Sequence, residues 1–207
     1  MYRTNIHRVV DNRQKSMFNN QSEEKHKIFV SFHHEDQAYR NKFDELFGDH
    51  FISMSVDFGD IAPESDDEYI KRLIQEEHII NSSVVFALYG ANTYKRKHVD
   101  WEISAGLSEK VGGHKGLVVM LLPTFPLAPF NQWNQYDPSL IYHLLHPRTA
   151  ANIKSGYADL YFWPGMYSHL SLQTFPMPDI IQKAFEKRDS QDHLIDNGHL
   201  QYKNNLS

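Results

Sequence analysis

Apolar and polar positions follow two rhythms along this chain, one with the period of a strand and one with the period of a helix. From Lys27 the chain turns abruptly apolar, and KIFVSF (27–32), β-branched and aromatic, predicts a strand. The polar loop HHED follows. Tyr39, Phe43, Leu46 and Phe47 then recur at helical spacing and predict a helix with one apolar face. Ile52, Met54 and Val56 alternate with Ser53 and Ser55, as in a strand buried on one side only. Ser65 and Glu68 form a capping box ahead of Ile70, Leu73 and Ile74, which predicts a second helix. SSVVFALYG (82–90) and GLVVMLLP (116–123) are continuous apolar runs, the mark of strands covered on both faces. A helix is predicted near 98–110 between them.

Strand and helix alternate through this region, which is the doubly wound pattern. The predicted fold class is therefore a flavodoxin-like three-layer α/β sandwich with a mainly parallel sheet. In such sheets ligands lie at the carboxyl ends of the strands, where this chain places HHED, VDFGD and YGANT. Residues 1–26 are polar and read as a flexible arm, 27–188 as one domain with an elaboration from about 124, and 189–207 as a flexible tail. Within the elaboration the pattern predicts a helix near 138–154, a strand at Tyr157–Trp163 and a helix from Pro178 to Lys187.

Charge and composition narrow the function classes. A formal charge of -5 over 207 residues, with pI near 6.2, argues against general nucleic-acid binding. With no cysteine, disulfides and thiolate chemistry are excluded. No apolar run approaches the roughly 18–20 residues that span a bilayer, and the first residues carry no apolar signal core. The expectation is a cytoplasmic protein that does not engage membranes.

FVSFHHED, followed by this α/β pattern and by SSVVFALYGANTYKRKHVDWEISAGL, resembles the bacterial TIR-like domains of antiphage defence, the ThsB-type domains of the Thoeris system in particular. The resemblance covers roughly residues 27–122 and is most specific from Val84 to Gly106. It implies an enzyme that cleaves the nicotinamide–ribose bond of NAD and makes an ADP-ribose signal, cyclic in some members. NAD or a related nucleotide would be substrate, with no permanently bound cofactor, and an effector protein would be reached through the nucleotide signal. The family's essential glutamate matches Glu102. Phe32, His33, Asp57, Phe58, Gly90, Asn92 and His98 would line the nucleotide site, and the 57–65 loop would mediate self-association. Many TIR domains carry Trp four residues before the glutamate, where this chain has His98. The alternative is a non-enzymatic TIR-like or receiver-like interaction scaffold. A phosphorylated receiver is disfavoured, because SSVVFALYG ends without an aspartate and no lysine follows GLVVMLLP.

The chemistry suits a single carboxylate. The leaving group is already a cationic pyridinium, so stabilising positive charge on the ribose is the main task. On a helical wheel Val99, Ile103 and Leu107 form the buried stripe and Glu102 lies on its border, facing a cleft. Spacing alone favours a surface acid paired with Lys95 or His98; the resemblance turns the reading to a functional glutamate. His33 and His34 invite a metal, but adjacent loop histidines are expected to point apart, so no metal site is assigned. Six acids between Asp57 and Glu68 read as a solvated loop and first helical turn, or as a surface for the basic run Lys95-Arg96-Lys97 of a neighbour. That basic run is an alternative phosphate contact. Neither glycine-rich phosphate cradle is present.

Overall fold

The computed structural model describes residues 25–54, 78–166 and 176–207. The capping box at Ser65, the helix through Ile74, the 57–65 loop, and with it Asp57 and Phe58, lie outside the described residues, as does most of the 1–26 arm.

Five strands form one sheet: β1 (Lys27–Ser31), β2 (Ile52–Ser53), β3 (Val84–Tyr89), β4 (Gly116–Leu121) and β5 (Asp159–Phe162). Their order is β2-β1-β3-β4-β5, and every pairing is parallel. This is the flavodoxin-like order, with its switch point between β1 and β3. Four helices are described: α1 (Gln37–Phe47), α2 (Lys97–Gly106), α3 (Pro147–Ser155) and α4 (Met177–Ser190). None of the described helices is long and apolar enough to cross a membrane.

The continuous apolar runs are explained by a core on each side of the sheet. Side chains alternate across a strand, so Phe29, Val85, Ala87, Leu117 and Val119 meet Trp101 and Ile103 of α2 and Ala150 of α3. Ile28, Val30, Phe86, Val118 and Met120 point the other way, onto Phe43 and Phe47 of α1 and Ile180, Ile181 and Ala184 of α4. Gly116 opens β4 because α4 crosses close above it: a Cβ there would lie 2.1 Å from the Ala184 carbonyl oxygen.

Three expectations change. The stretch at Ile52 was expected to be buried on one face. Its strand holds two residues on the sheet edge, both exposed, with Ile52 45% accessible. The helix expected across 138–154 is split into a 3-10 segment (Pro138–Leu144) and α3. Pro147 causes the break, since the residue before a proline is pushed to an extended conformation, as His146 is here.

The stretch from 189 onward, expected to be a flexible tail, continues α4 to Ser190 and then lies along α2 and α3. Arg148, 1% exposed, donates from Nε to Asp100 Oδ1 at 3.3 Å and from its Nη atoms to the carbonyls of Asn197 and His199 at 2.8 and 2.5 Å. Asp100 accepts in turn from the Tyr202 amide, and Trp101 Nε1 donates to the Tyr202 carbonyl. Asn152 exchanges two hydrogen bonds with the Asp196 backbone. Asn205 Oδ1 accepts from the Lys97 amide, one of the orphan donors of the first turn of α2. This mostly polar segment is held by long-range hydrogen bonds, with Leu194 and Ile195 packed, partly buried, against the core.

Candidate functional site

The carboxyl ends of β1 and β3 define the site. Ser31 is the last residue of β1, in register with Ala87 of β3, and α2 leaves the end of β3 to cross over this junction. Ser31 Oγ donates to Glu102 Oε2 at 2.5 Å, in a fully buried contact. Glu102 Oε1 is buried and has no hydrogen-bond partner among the described residues. Burial raises the Glu102 pKa from 4.5 to about 8, against the opposing effect of the Ser31 hydrogen bond.

Glu102 was expected on the border of a buried stripe, facing a cleft. It is only 1% exposed, and every residue of α2 from Val99 to Gly106 is buried. The reason is the segment 196–202, which covers the face of α2 that the wheel assigned to solvent. Glu102 itself points the other way, to the sheet. Neither Lys95 nor His98 pairs with it.

Phe32 and His33 continue from β1 and are buried at 7% and 4%. Gly90 ends β3 against Asp36: a Cβ on Gly90 would lie 2.2 Å from Asp36 Oδ2. Thr93 and Thr124 donate to the two oxygens of Asp36 at 3.4 and 3.2 Å, so this buried acid ties the β1, β3 and β4 ends together. Burial raises the Asp36 pKa in spite of those bonds. Asn92 Nδ2 donates to Glu35 Oε2 at 3.0 Å. His98, in the first turn of α2, lies 5.0 Å from the Trp101 ring, tilted against it. The structure thus places Phe32, His33, Gly90, Asn92 and the glutamate's helix around one junction.

Sequence reasoning missed Ser31 and Asp36. Ser31 is separated from Glu102 by 71 positions, although a serine closing an apolar strand at a switch point was a legible signal. The basic run disperses. Arg96 lies 3.7 Å from Glu35, Lys97 sits over the Trp101 ring at 5.0 Å, and Lys95 sits over Tyr94.

The adjacent histidines do not point apart. The His33 and His34 rings meet edge-on at 4.1 Å, and together with Glu35 they bring three donor atoms within 4.8 Å. The backbone turns into a 3-10 segment at His34, which swings the second ring beside the first. Glu35 is already engaged by His33, Asn92 and Arg96. The nearby guanidinium opposes a second cation.

The sheet order, the switch point and the helix bearing a buried glutamate over it define a flavodoxin-like α/β domain of the TIR-like type. Residues 29–125, just under half of the 207-residue chain, match the family described as Thoeris protein ThsB, TIR-like domain. Among solved structures, the TIR domains of the activated Roq1 resistosome, which directly recognises the pathogen effector XopQ, are 13% identical. That match covers 82% of this chain and 84% of that chain with a TM-score of 0.37, too loose to bear on the site. Comparison with curated proteins finds no match.

Proposed function

We propose that this protein is an NAD-processing enzyme of antiphage defence that cleaves the nicotinamide–ribose bond with Glu102. The observation that carries the reading is Glu102 itself, a buried carboxyl at the switch point with one oxygen held by Ser31 and the other without a partner among the described residues. A buried unsatisfied acceptor is costly, and a carboxyl whose pKa burial has raised is of the kind found at functional sites. In the reaction the electrons of the C1′–N bond leave with the pyridinium, giving neutral nicotinamide and a cationic ribose. Water captures that cation and releases a proton, or the adenine ring captures it to give a cyclic product. A carboxylate beside C1′ stabilises the cation, and the Ser31 hydroxyl favours the ionised form that this requires.

The described state is a closed one. Glu102 is sealed, and its raised pKa keeps it neutral near pH 7. Among the described residues, Glu102 lines neither the cavity of about 940 Å³ nor that of about 390 Å³. Turnover therefore requires the cover of Glu102 to move, and the positive charge of bound NAD would favour its ionisation. Phe32, His33, Gly90, Asn92 and His98 would line the opened site, with Asp57 and Phe58 completing it. The 57–65 loop would drive self-association, and the cyclic or linear ADP-ribose product would signal to an effector in the cytoplasm. The sealing of Glu102 also favours a second reading, a non-enzymatic scaffold that recruits partners by self-association.

The test follows NAD by chromatography in phage-challenged cells carrying the wild type or Glu102→Gln. NAD loss in the wild type that the folded variant abolishes supports the enzyme. Equal NAD and metabolite profiles under active defence overturn it and leave the scaffold.

A further inference from the structure

At the opposite end of the sheet, roughly 17 Å along the strands at about 3.3 Å per residue, lies the larger cavity, of about 940 Å³. It runs along α4 past the starts of β1, β3 and β4. We propose that this groove binds a small phosphate-bearing anion, a diphosphate group in particular, held between Lys115 and Arg188. The proposal stands apart from the reading of Glu102.

The decisive observation is Lys115. Only 3% of the residue is exposed, at the groove wall. Its ammonium donates to the carbonyls of Gly112 and Ile80 at 2.8 and 3.3 Å. No carboxylate of the described residues pairs with it. A buried ammonium without a counter-charge either gives up its proton more readily or gains an anion, and an anion in the groove would restore its charged form. Burial, followed by the charge of Arg188, holds the Lys115 amine below the usual lysine range.

The surroundings carry the same sign. Lys25, Lys27, Lys115 and Arg188 line the groove against two carboxylates, Asp49 and Asp179. Arg188 is paired with the exposed Asp189 at 3.1 Å, an exchangeable surface contact of small worth. The aromatic wall points to phosphate in preference to a base. The ring of Phe185 is already taken by His26 at 4.2 Å and by the Arg188 guanidinium at 3.9 Å, so it is not free to stack. What the groove offers is point charges and an arginine fork, the donors suited to phosphate oxygens.

Isothermal titration of the full chain at fixed ionic strength tests this, with inorganic pyrophosphate as one ligand, ADP-ribose as the second and sodium chloride as control. Saturable pyrophosphate binding is expected, weakened about tenfold in Arg188→Gln and lost in Lys115→Met, while Glu102→Gln keeps it. Binding of both ligands that falls in parallel in these variants identifies the phosphate group as what is recognised. ADP-ribose binding that ignores both groove variants and needs Glu102 would belong to the other site and leave the groove claim to pyrophosphate alone. No saturable pyrophosphate heat, or equal heats in the wild type and Arg188→Gln, overturns the proposal. Should Lys115→Met fail to fold, Arg188→Gln decides.

Discussion

Replacing Glu102 by glutamine tests how the fold holds this carboxyl. Glutamine keeps the shape and an acceptor for the Ser31 hydroxyl, and it cannot ionise. In the wild type the folded-state pKa is raised from 4.5 to about 8 by burial. Below pH 4.5 both folded and unfolded chains hold the proton. Between 4.5 and about 8 only the folded chain holds it, so wild-type stability falls as pH rises. Above about 8 both have released it and the full penalty is in place. At about 1.4 kcal/mol per pH unit, that window corresponds to roughly 5 kcal/mol. The amide adds a pH-independent cost, on the order of 1–3 kcal/mol, because its NH2 donors replace an acceptor that already lacks a partner. The informative quantity is therefore the stability gap between variant and wild type as a function of pH. Urea denaturation of both proteins at pH 5, 6.5, 8 and 9 is expected to show the gap moving by roughly 4 kcal/mol in favour of Glu102→Gln, since pH 5 already lies inside the window. At about 2–4 °C per kcal/mol for a chain of this size, melting temperatures would move on the order of 10 °C. A gap that stays level from pH 5 to pH 9 would refute the burial argument, because an ionised, solvated Glu102 carries no such penalty.

Two further outcomes are expected. His146 is fully buried, accepts at Nδ1 from Tyr89 OH at 2.7 Å and donates from Nε2 to the Arg96 carbonyl at 3.0 Å. Burial lowers its pKa from 6.5 to about 4; the unfolded chain therefore takes the proton first, and roughly 3 kcal/mol of stability is lost as pH falls through that window. His146→Gln should flatten this slope in denaturation measured at pH 7, 5 and 4. Arg148→Met leaves Asp100 buried without its cation and should cost about 3–5 kcal/mol, with faster amide exchange at Tyr202 and across Asp196–His199 as the local signature. Unchanged exchange there would mean that Arg148 does not hold the segment.

The central fold was readable because burial on two faces writes itself into composition. VVFALY and GLVVML leave no polar position on either side, and only the interior of a three-layer sandwich requires that. Helix α1 was readable from its one-sided stripe. Helix α2 was read in place but misread in exposure, since a 3.6-residue period reports the face packed on the sheet and says nothing of a polar segment laid over the other. The C-terminal segment itself was illegible for the same reason: Asp196, Asn197, Gln201 and Asn205 resemble any solvated stretch, and what orders them is Arg148, Asp100, Asn152 and Ser104 from elsewhere in the chain. Glu102 was singled out by resemblance, and its contact with Ser31 is a tertiary fact that no local pattern contains.

The covering of α2 has a consequence for how the molecule is made. The Tyr202 amide reaches back 102 positions to Asp100, and Trp101 reaches forward 101 positions to the Tyr202 carbonyl. At about 5–20 residues per second on the ribosome, the outer face of α2 waits roughly 5–20 s for its cover after it has itself been synthesised. Through that interval an indole, a carboxylate and the first amides of the helix face water or whatever else is near. The glutamate's helix is therefore among the last parts of the domain to be closed, and a nascent chain stalled within α4 would present it open.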